Sequence, residues 1–220
     1  MAELTTGYPI LLNLTNKQVV VVGGGTVATR KVKNLLDAQA RVLIISPEIT
    51  PALQTLVDNE QVEWVTELYQ RDMLNEYMPL LVIATTDDAR INQTVAQDAH
   101  RIRAWINIAD GSSDESDFSN MAILNQPPLT IALSTNGTSP ALLHHLKAEI
   151  GSAIGDEYSI LADWLGGIRQ PMKSEIYTQA DRKNLYRQIL ESDIITLLRQ
   201  DKQEDARQIF QQILADRITQ

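Results

Sequence analysis

The sequence predicts an α/β fold: a Rossmann-like parallel sheet, then a small region with two strands, then a helical C-terminal domain. Two uninterrupted apolar runs, at residues 19–22 and 80–84, carry the first part of this prediction, because a strand covered on both faces is apolar without alternation. A helical pattern follows the first run, and a further strand at 41–45 completes a βαβ unit. Beyond residue 151 the apolar spacing is helical, which predicts the C-terminal part.

Residues 18–31 organise the first part of the chain. Four valines run into three glycines, and apolar residues then recur at helical spacing, which predicts a strand, a tight turn and a helix. Gly23, Gly25 and Ala28 fit the G-x-G-x-x-A form of a dinucleotide-binding turn. A phosphate is expected at the helix N-terminus, where free N–H groups and the helix dipole favour an anion. The predicted cofactor contacts of this turn are Gly23, Gly24, Gly25, Thr26 and Val27; the alternative is a glycine-rich turn without a ligand.

The strand at 41–45 ends at Ser46 and Pro47, and Glu48 is the nearest carboxylate. In many NAD enzymes an acidic residue at this point holds the adenosine ribose hydroxyls. We therefore predict Ser46, Pro47 and Glu48 as cofactor contacts, and because Glu48 would repel a 2′-phosphate, the sequence favours NAD over NADP. The alternative is that Glu48 stabilises the start of the next helix through its dipole.

Polar residues also follow the later strands of the predicted sheet. Thr85 and Thr86 come directly after the run at 80–84, and a strand at 104–108 carries Asn107 and leads to Asp110. Ligands of such sheets bind outside the carboxyl ends of the strands, so we predict Thr85 and Thr86 as cofactor contacts and Asn107 as a substrate contact. N-capping of the next helix is the alternative for the polar cluster after residue 84.

The composition changes to a polar, acidic loop at 111–120, which we take as the end of the Rossmann-like half. Strands at 121–124 and 129–133 follow, and their short connection predicts an antiparallel pair. Because two strands alone are marginal in water, we expect them to pair elsewhere, in a second subunit. The predicted domains are an NAD-binding domain at 1–113, a dimerisation region at 114–151 and a helical domain at 152–220.

The loop at 134–140 joins small hydroxylated residues and a glycine to the start of a helix. Such a turn favours an anion or a close backbone contact, so we predict Ser134, Thr135 and Gly137 as substrate contacts. The alternative is a capped helix, with Ser139 as the N-cap and Pro140 in the first position.

Composition limits the classes of function. The 220 residues carry a net charge of -9 and no cysteine, which excludes disulfides, thiolate metal sites and a cysteine nucleophile. The acidic balance and the lack of a basic cluster argue against nucleic acid as a partner. No run approaches the roughly 20 apolar residues that span a bilayer, and the N-terminus lacks a leader pattern. We expect a cytoplasmic protein with no membrane partner.

Four motifs together resemble the precorrin-2 dehydrogenase family of siroheme biosynthesis. They lie at residues 20–31, 84–88, 107–110 and 132–140, in matching order and spacing. The resemblance implies NAD as the cofactor and oxidation of precorrin-2, a tetrapyrrole, to sirohydrochlorin; some members also insert ferrous iron. It further implies a homodimer, built from a Rossmann domain, an intertwined dimerisation region and a helical tail.

The catalytic aspartate of that family falls on Asp110, and Thr135 falls where members carry Ser or Thr. Oxidation of the macrocycle removes a hydride and a proton, and a carboxylate at Asp110 suits the proton; without the resemblance, a turn aspartate before Gly111 is the alternative. The loop departs from the family pattern, because Met121 stands where proline is expected. This departure motivates an alternative function, a non-catalytic dinucleotide- or tetrapyrrole-binding regulator with the same fold.

Charge sets a further constraint on a polycarboxylate substrate. Four carboxylates, Asp110, Asp114, Glu115 and Asp117, lie in or beside the acidic loop, and like charges close together are unfavourable. Binding must therefore use local cations, for which the candidates are Arg30, Lys31, His144, His145 and Lys147. Adjacent histidines on a helix point about 100° apart, so we predict no protein metal site.

Overall fold

The computed structural model describes residues 7–109, 115–174 and 178–218. The chain divides into two compact units, one within residues 6–120 and the other formed mainly by residues 121–220. Asp110 and Asp114 lie outside the described residues.

The first unit is a five-stranded parallel sheet with helices between its strands. The strands are β1 (Gln18–Val22), β2 (Arg41–Ile45), β3 (Glu63–Val65), β4 (Leu81–Ala84) and β5 (Trp105–Ile108), in the order β3-β2-β1-β4-β5. The helices are α1 (Thr26–Asp37), α2 (Pro51–Asp58), α3 (Leu74–Tyr77) and α4 (Ala89–Arg101). The order reverses between β1 and β4, which confirms the predicted Rossmann-like sheet.

Apolar side chains of β1 alternate between two cores, one on each face of the sheet. Val19 and Val21 pack in the core that contains Ala28 and Val32 of α1. Val20 and Val22 pack in the core that contains residues of α4. Since both faces are buried, an unbroken valine run is the favourable sequence, and each buried side chain contributes about 1.5–3 kcal/mol.

The outer edge of β5 is covered by residues 116–118. The amide of Ile106 donates to the Asp117 carboxylate (3.0 Å), and the amide of Ile108 donates to the Ser116 hydroxyl (2.9 Å). The Asp117 amide donates in return to the Ile106 carbonyl (2.8 Å), and the His100 ring lies 3.4 Å from the Asp117 carboxylate. Asp117 therefore forms hydrogen bonds with backbone groups of the edge strand β5, which would otherwise be unpaired and exposed.

The second unit begins with an antiparallel hairpin, β6 (Ala122–Gln126) and β7 (Leu129–Leu133), as predicted. Within the described residues five helices follow it: α5 (Pro140–Ala153), α6 (Asp156–Ser174), α7 (Gln179–Glu191), α8 (Ile194–Arg199) and α9 (Gln203–Ile218). The helices α6 to α9 share a core around Leu161, Leu185, Ile189 and Phe210. In contrast, no residue from 121 to 156 is buried.

Helix α6 is longer than the sequence predicts. The sequence predicts a helical segment from about Tyr158 to Leu165 that stops at Gly166 and Gly167, but α6 continues through both to Ser174. Each glycine costs a helix about 1 kcal/mol relative to alanine. Trp164, Leu165 and Ile168 on either side pack against the unit's core, and this burial outweighs the glycine cost.

An ion pair joins the start of α6 to the end of α8. Arg199 Nε donates to Glu157 Oε1 at 2.7 Å, and Glu157 is buried. This hydrogen bond lowers the pKa of Glu157 from its ordinary value of 4.5, against the opposing effect of burial. The pair therefore stabilises the fold while Glu157 is ionised.

We expect Glu157→Gln to lower the free energy of unfolding at neutral pH by about 1–3 kcal/mol, because a charge-assisted hydrogen bond is lost. Since the folded pKa is depressed, the contribution is present above the ordinary value of 4.5 and disappears as pH falls through the folded pKa. Urea unfolding at a series of pH values should show the difference from wild type shrinking below pH 4.5. The exposed control Glu191→Gln should change little, and a difference independent of pH would contradict this interpretation.

Candidate functional site

Gly23 begins the turn after β1 and cannot carry a side chain. Its φ is +111°, and an added Cβ would lie 2.6 Å from Thr85 Oγ1. Its amide donates to the Ile45 carbonyl at the end of β2 (2.9 Å). The first glycine is thus fixed between the ends of β2 and β4.

Gly24 is enclosed by the loop after β2. A Cβ at this position would clash with the carbonyl oxygen of Glu48 and the backbone of Ile49. The Gly24 carbonyl accepts a hydrogen bond from the Thr50 amide (3.0 Å). Gly24 therefore allows close packing inside the protein, because the position where a Cβ would lie is occupied by protein backbone.

Gly25 differs from its two neighbours because it is exposed and has open space where a Cβ would lie. It is the N-cap of α1, and no side chain caps the helix. Thr26 and Val27, in the first turn, are exposed as well. Backbone N–H groups at an uncapped helix N-terminus attract anions, so a dinucleotide phosphate fits here. Thr29 supports the turn, since its hydroxyl donates to the Gly25 carbonyl (3.0 Å) and lies 2.8 Å from the Thr50 hydroxyl.

The three residues predicted after β2 fall into two groups. Ser46 is buried, and its hydroxyl donates to the Glu48 carbonyl (2.7 Å) while its own carbonyl accepts from the Trp64 indole (2.8 Å). Pro47 and Glu48 are exposed on the same loop. Ser46 therefore shapes the loop, whereas the Glu48 side chain is accessible to a ligand.

The two threonines after β4 are half-buried and already hydrogen-bonded. The Thr85 hydroxyl donates to the Val22 carbonyl (2.9 Å), and the Thr86 hydroxyl donates to Asn92 Oδ1 (2.8 Å). The Asn92 amide group donates back to the Thr86 carbonyl (2.9 Å). Asp88 caps α4 by accepting from the Arg90 amide (2.8 Å), so the capping alternative is confirmed for Asp88.

Asn92 is a supporting residue that sequence reasoning missed. It is buried in α4 and organises the loop after β4. A single asparagine in a polar helical segment carries no signal of such a role, because its partner lies six residues earlier and outside the helix.

Asn107 is buried and belongs to a cluster of polar side chains that reaches the surface at Asn120. Its side-chain oxygen accepts from Lys31 Nζ (3.1 Å), and its side-chain nitrogen donates to the Phe118 carbonyl (2.9 Å). Lys31 Nζ also donates to Asn120 Oδ1 (2.5 Å). Burial lowers the pKa of Lys31, and the neighbouring charge of Arg30 lowers it further. Lys31, which the sequence predicts as a cation that binds the substrate, therefore already donates to two amide oxygens.

Ser134, Thr135 and Gly137 belong to the second unit, and they form a tight turn before α5. The Thr135 hydroxyl accepts from the Ser139 amide (3.3 Å), and the Ser134 hydroxyl accepts from the Asn136 amide (3.0 Å). Gly137 has a φ of +76° and open space around it. Ser139 caps α5 through the Leu142 amide (3.2 Å), as the capping alternative stated. A ligand role of this turn stays a prediction.

The described residues hold neither a metal-binding group of side chains nor a membrane-spanning helix. Within residues 7–109, 115–174 and 178–218, no three histidine, aspartate or glutamate side chains form a metal-binding group. Among the described helices, none is long and apolar enough to cross a membrane.

Two family descriptions match the chain. The family described as putative NAD(P)-binding matches residues 10–122. The sirohaem synthase dimerisation region matches residues 157–214. The first match covers the sheet, the glycine turn and the strand ends described above.

The chain is similar to curated siroheme synthases. Siroheme synthase 3 of Aeromonas hydrophila subsp. hydrophila is 31% identical over 210 residues, which are 94% of this chain and 44% of that protein. Siroheme synthase 1 of Aeromonas salmonicida is 31% identical over 196 residues, which are 88% of this chain and 41% of that protein. The chain thus spans less than half the length of these relatives.

A solved structure shares the fold. The protein described as SirC, precorrin-2 dehydrogenase, matches with a TM-score of 0.74 at 22% identity, over 94% of this chain and 100% of that one. The match confirms the predicted fold class.

The open space at Gly25 allows a test of the predicted phosphate contact. We expect Gly25→Ala to fold with a stability within about 1 kcal/mol of wild type, since nothing obstructs the new methyl group. The methyl group would occupy the approach of the pyrophosphate, so NAD affinity in titration calorimetry should fall by about tenfold or more. Gly167→Ala, also in open space, is the control and should bind as wild type does. Unchanged affinity in Gly25→Ala would remove this turn from the cofactor site.

Proposed function

We propose that this chain, which belongs to the family described as putative NAD(P)-binding and also matches the sirohaem synthase dimerisation region, oxidises precorrin-2 to sirohydrochlorin with NAD. The proposal rests on the geometry of the turn after β1. Two glycines are enclosed by neighbouring loops, and the third opens an uncapped helix N-terminus to solvent. This geometry suits a dinucleotide pyrophosphate, and the matched family is described by the same ligand class.

The reaction removes two hydrogens from the tetrapyrrole, which amounts to two electrons and two protons. NAD, when bound, would supply the two-electron acceptor, so that one of the two hydrogens leaves as a hydride. The other hydrogen leaves as a proton, for which we propose Asp110 as the acceptor, because a carboxylate is an effective base when held within hydrogen-bond reach. Asn107, three residues earlier on β5, and the turn with Ser134, Thr135 and Gly137 are the proposed substrate contacts.

The finer features of the cofactor and metal chemistry are part of the same proposal. Glu48 is exposed on the loop after β2, where its carboxylate would disfavour a 2′-phosphate, and this supports NAD over NADP. Ferrous iron would be a second substrate if the chain also inserts metal into sirohydrochlorin.

We further propose that the chain is a homodimer with domains at 1–113, 114–151 and 152–220. Residues 157–214 match a dimerisation region. The exposure of the hairpin and α5 is a second, independent support for the proposal. A hairpin without a buried residue is marginally stable in water, so a second copy of the chain is the natural cover for it.

Sedimentation equilibrium should accordingly give twice the chain mass of 24.6 kDa. Ile123 is exposed on β6, and we expect Ile123→Asp to shift the protein towards the monomer, because a charge would enter the covered surface. Leu68→Asp, at an exposed leucine of the first unit, should stay dimeric. A wild-type mass of one chain at micromolar concentration would reject the dimer.

The proposed activity is tested by giving purified protein precorrin-2 and NAD under anaerobic conditions. When NAD is supplied, we expect the sirohydrochlorin spectrum to appear together with that of the product NADH. When NADP replaces NAD, we expect the same change to be slower. In Asp110→Ala, turnover should fall by about 100-fold or more while NAD still binds, because only the proton acceptor is removed. Asp58→Ala, at an exposed aspartate of α2, is the control.

Two outcomes would change the assignment. Undiminished turnover in Asp110→Ala would remove that residue from the mechanism. Wild-type protein that binds NAD and tetrapyrrole without turnover would instead support the alternative, a binding regulator with this fold.

A further inference from the structure

Two threonine hydroxyls join the glycine-turn helix α1 to the helix α2. Thr29, at the end of the first turn of α1, donates to the Gly25 carbonyl (3.0 Å), and its hydroxyl oxygen lies 2.8 Å from that of Thr50. Thr50 is the N-cap of α2, where its hydroxyl oxygen accepts from the Leu53 amide (3.3 Å). Both threonines are half-buried, and they stand 21 positions apart in the chain, so the fold alone brings them together.

The acceptors determine which of the two hydroxyls donates to the other. A threonine hydroxyl carries one hydrogen, whereas a carbonyl oxygen can only accept. The hydrogen of Thr29 is used at the Gly25 carbonyl, so the hydrogen between the two threonines comes from Thr50. The contacts therefore form one directed chain of hydrogen bonds. It starts at the Leu53 amide, passes through the two hydroxyls and ends at the Gly25 carbonyl.

The end of this chain sets the direction of an N–H group at the surface. The Gly25 carbonyl and the Thr26 N–H belong to one planar trans peptide unit, in which they point in opposite directions. The Gly25 carbonyl also accepts from the Thr29 amide (3.0 Å), so both donors of Thr29 hold it. Because the first N–H groups of a helix have no acceptor within the helix, this arrangement aims the Thr26 N–H out of the helix N-terminus, where a phosphate is expected.

The start of the chain is fixed by the loop after β2. The Thr50 amide donates to the Gly24 carbonyl (3.0 Å), and the missing Cβ of Gly24 lets the Glu48 carbonyl approach the turn. The backbone of this loop is therefore held against the glycine turn independently of the hydroxyl contact. Thr50 thus donates from a fixed position, as a positioning contact requires.

We propose that Thr29 is a positioning residue for the dinucleotide: with Thr50 as its donor, it holds the Gly25–Thr26 peptide so that the Thr26 N–H meets the pyrophosphate. The inference rests on the proposed function for the identity of the cofactor, and not on the oxidation of precorrin-2. A threonine hydroxyl bonded to the carbonyl four residues earlier is neutral or unfavourable for the helix itself. The benefit of this contact is therefore expected in ligand binding rather than in folding.

The first experiment measures the affinity of the full chain for NAD by titration calorimetry. Thr29→Val keeps the shape of the side chain and removes the hydroxyl, and we expect the affinity to fall about fivefold or more, because the N–H at the phosphate is no longer held in place. Thr29→Ser keeps the hydroxyl and should stay within about twofold of wild type. Thr94→Val is the matched control, since Thr94 is half-buried in α4 and its hydroxyl donates to the Arg90 carbonyl four residues earlier (2.9 Å).

Adenosine separates a phosphate contact from a general effect on the fold of the site. It has the base and the ribose of NAD but no phosphate, and its affinity is measured by displacement of bound NAD. In Thr29→Val we expect the affinity for adenosine to stay within about twofold of wild type, while the affinity for NAD falls. An equal loss for both ligands would overturn the proposal, because Thr29 would then act on the whole site.

A second variant tests whether the two threonines act as one chain. Thr50→Val removes the donor to Thr29, and it should lower the affinity for NAD in the same direction. The double variant of Thr29→Val with Thr50→Val should bind NAD no more weakly than the worse single variant, because the two residues act through the same peptide. Independent, multiplicative losses would reject the chain.

Binding and turnover are measured separately, so the inference and the proposed function can fail separately. Wild type that binds NAD without oxidising precorrin-2 would reject the proposed function, while the affinities of the variants still test the inference. If wild type prefers NADP, NADP is used as the ligand, because it carries the same pyrophosphate. Wild-type affinity in Thr29→Val would overturn the inference, as would wild type that binds neither dinucleotide. Should Thr29→Val fail to fold, Thr29→Ala removes the same hydroxyl with a residue that favours a helix, and it carries the same comparison.

Discussion

The arrangement of the first unit depends on the absence of side chains at two consecutive positions after β1. Gly23 meets Thr85 on one side, and Gly24 meets the Glu48 carbonyl on the other. Each contact leaves room for backbone alone, so the loops after β2 and β4 can close on the turn. Their closure fixes the direction of α1 and brings Gly25 to the surface as the first exposed residue. The position predicted for a phosphate thus follows from a packing constraint, because the close contacts at Gly23 and Gly24 place the free N–H groups at the start of α1 at the surface.

The sequence predicted those parts of the structure that depend on local patterns. Buried strands, the glycine turn and the capped start of α5 each have a signal within a few residues. The α6 boundary was wrong, since two glycines predict a stop but the core around Trp164 decides the length. Polar contacts between distant parts of the first unit could not be predicted from the sequence either. Lys31 with Asn107 and Thr86 with Asn92 are pairs that only the folded chain brings together.

The fold reduces the repulsion that the carboxylates of the acidic loop would exert on a polycarboxylate. From the sequence, Asp117 added to the repulsion that a polycarboxylate would meet. In the fold, its two oxygens lie against the Ile106 amide and the His100 ring, and Glu115 accepts from Gln93 (3.4 Å). Carboxylates that accept hydrogen bonds have part of their charge compensated locally. Lys31, in the opposite sense, is bound by two asparagines and is less free to serve a ligand than a surface lysine.

The two family matches leave the whole of α5 and the hairpin beyond Ala122 unmatched, and the same residues lack buried side chains. The NAD(P)-binding match ends at residue 122, and the dimerisation match begins at 157. Residues 121–156 contain regular strands and a 14-residue helix, yet none of them is buried. Apolar side chains such as Ile123 and Leu142 are exposed there, and regular elements of this kind gain stability mainly by burying an apolar face. The stability of residues 121–156 is therefore the hardest to explain within a single chain. Burial against a second chain is the simplest physical explanation for it.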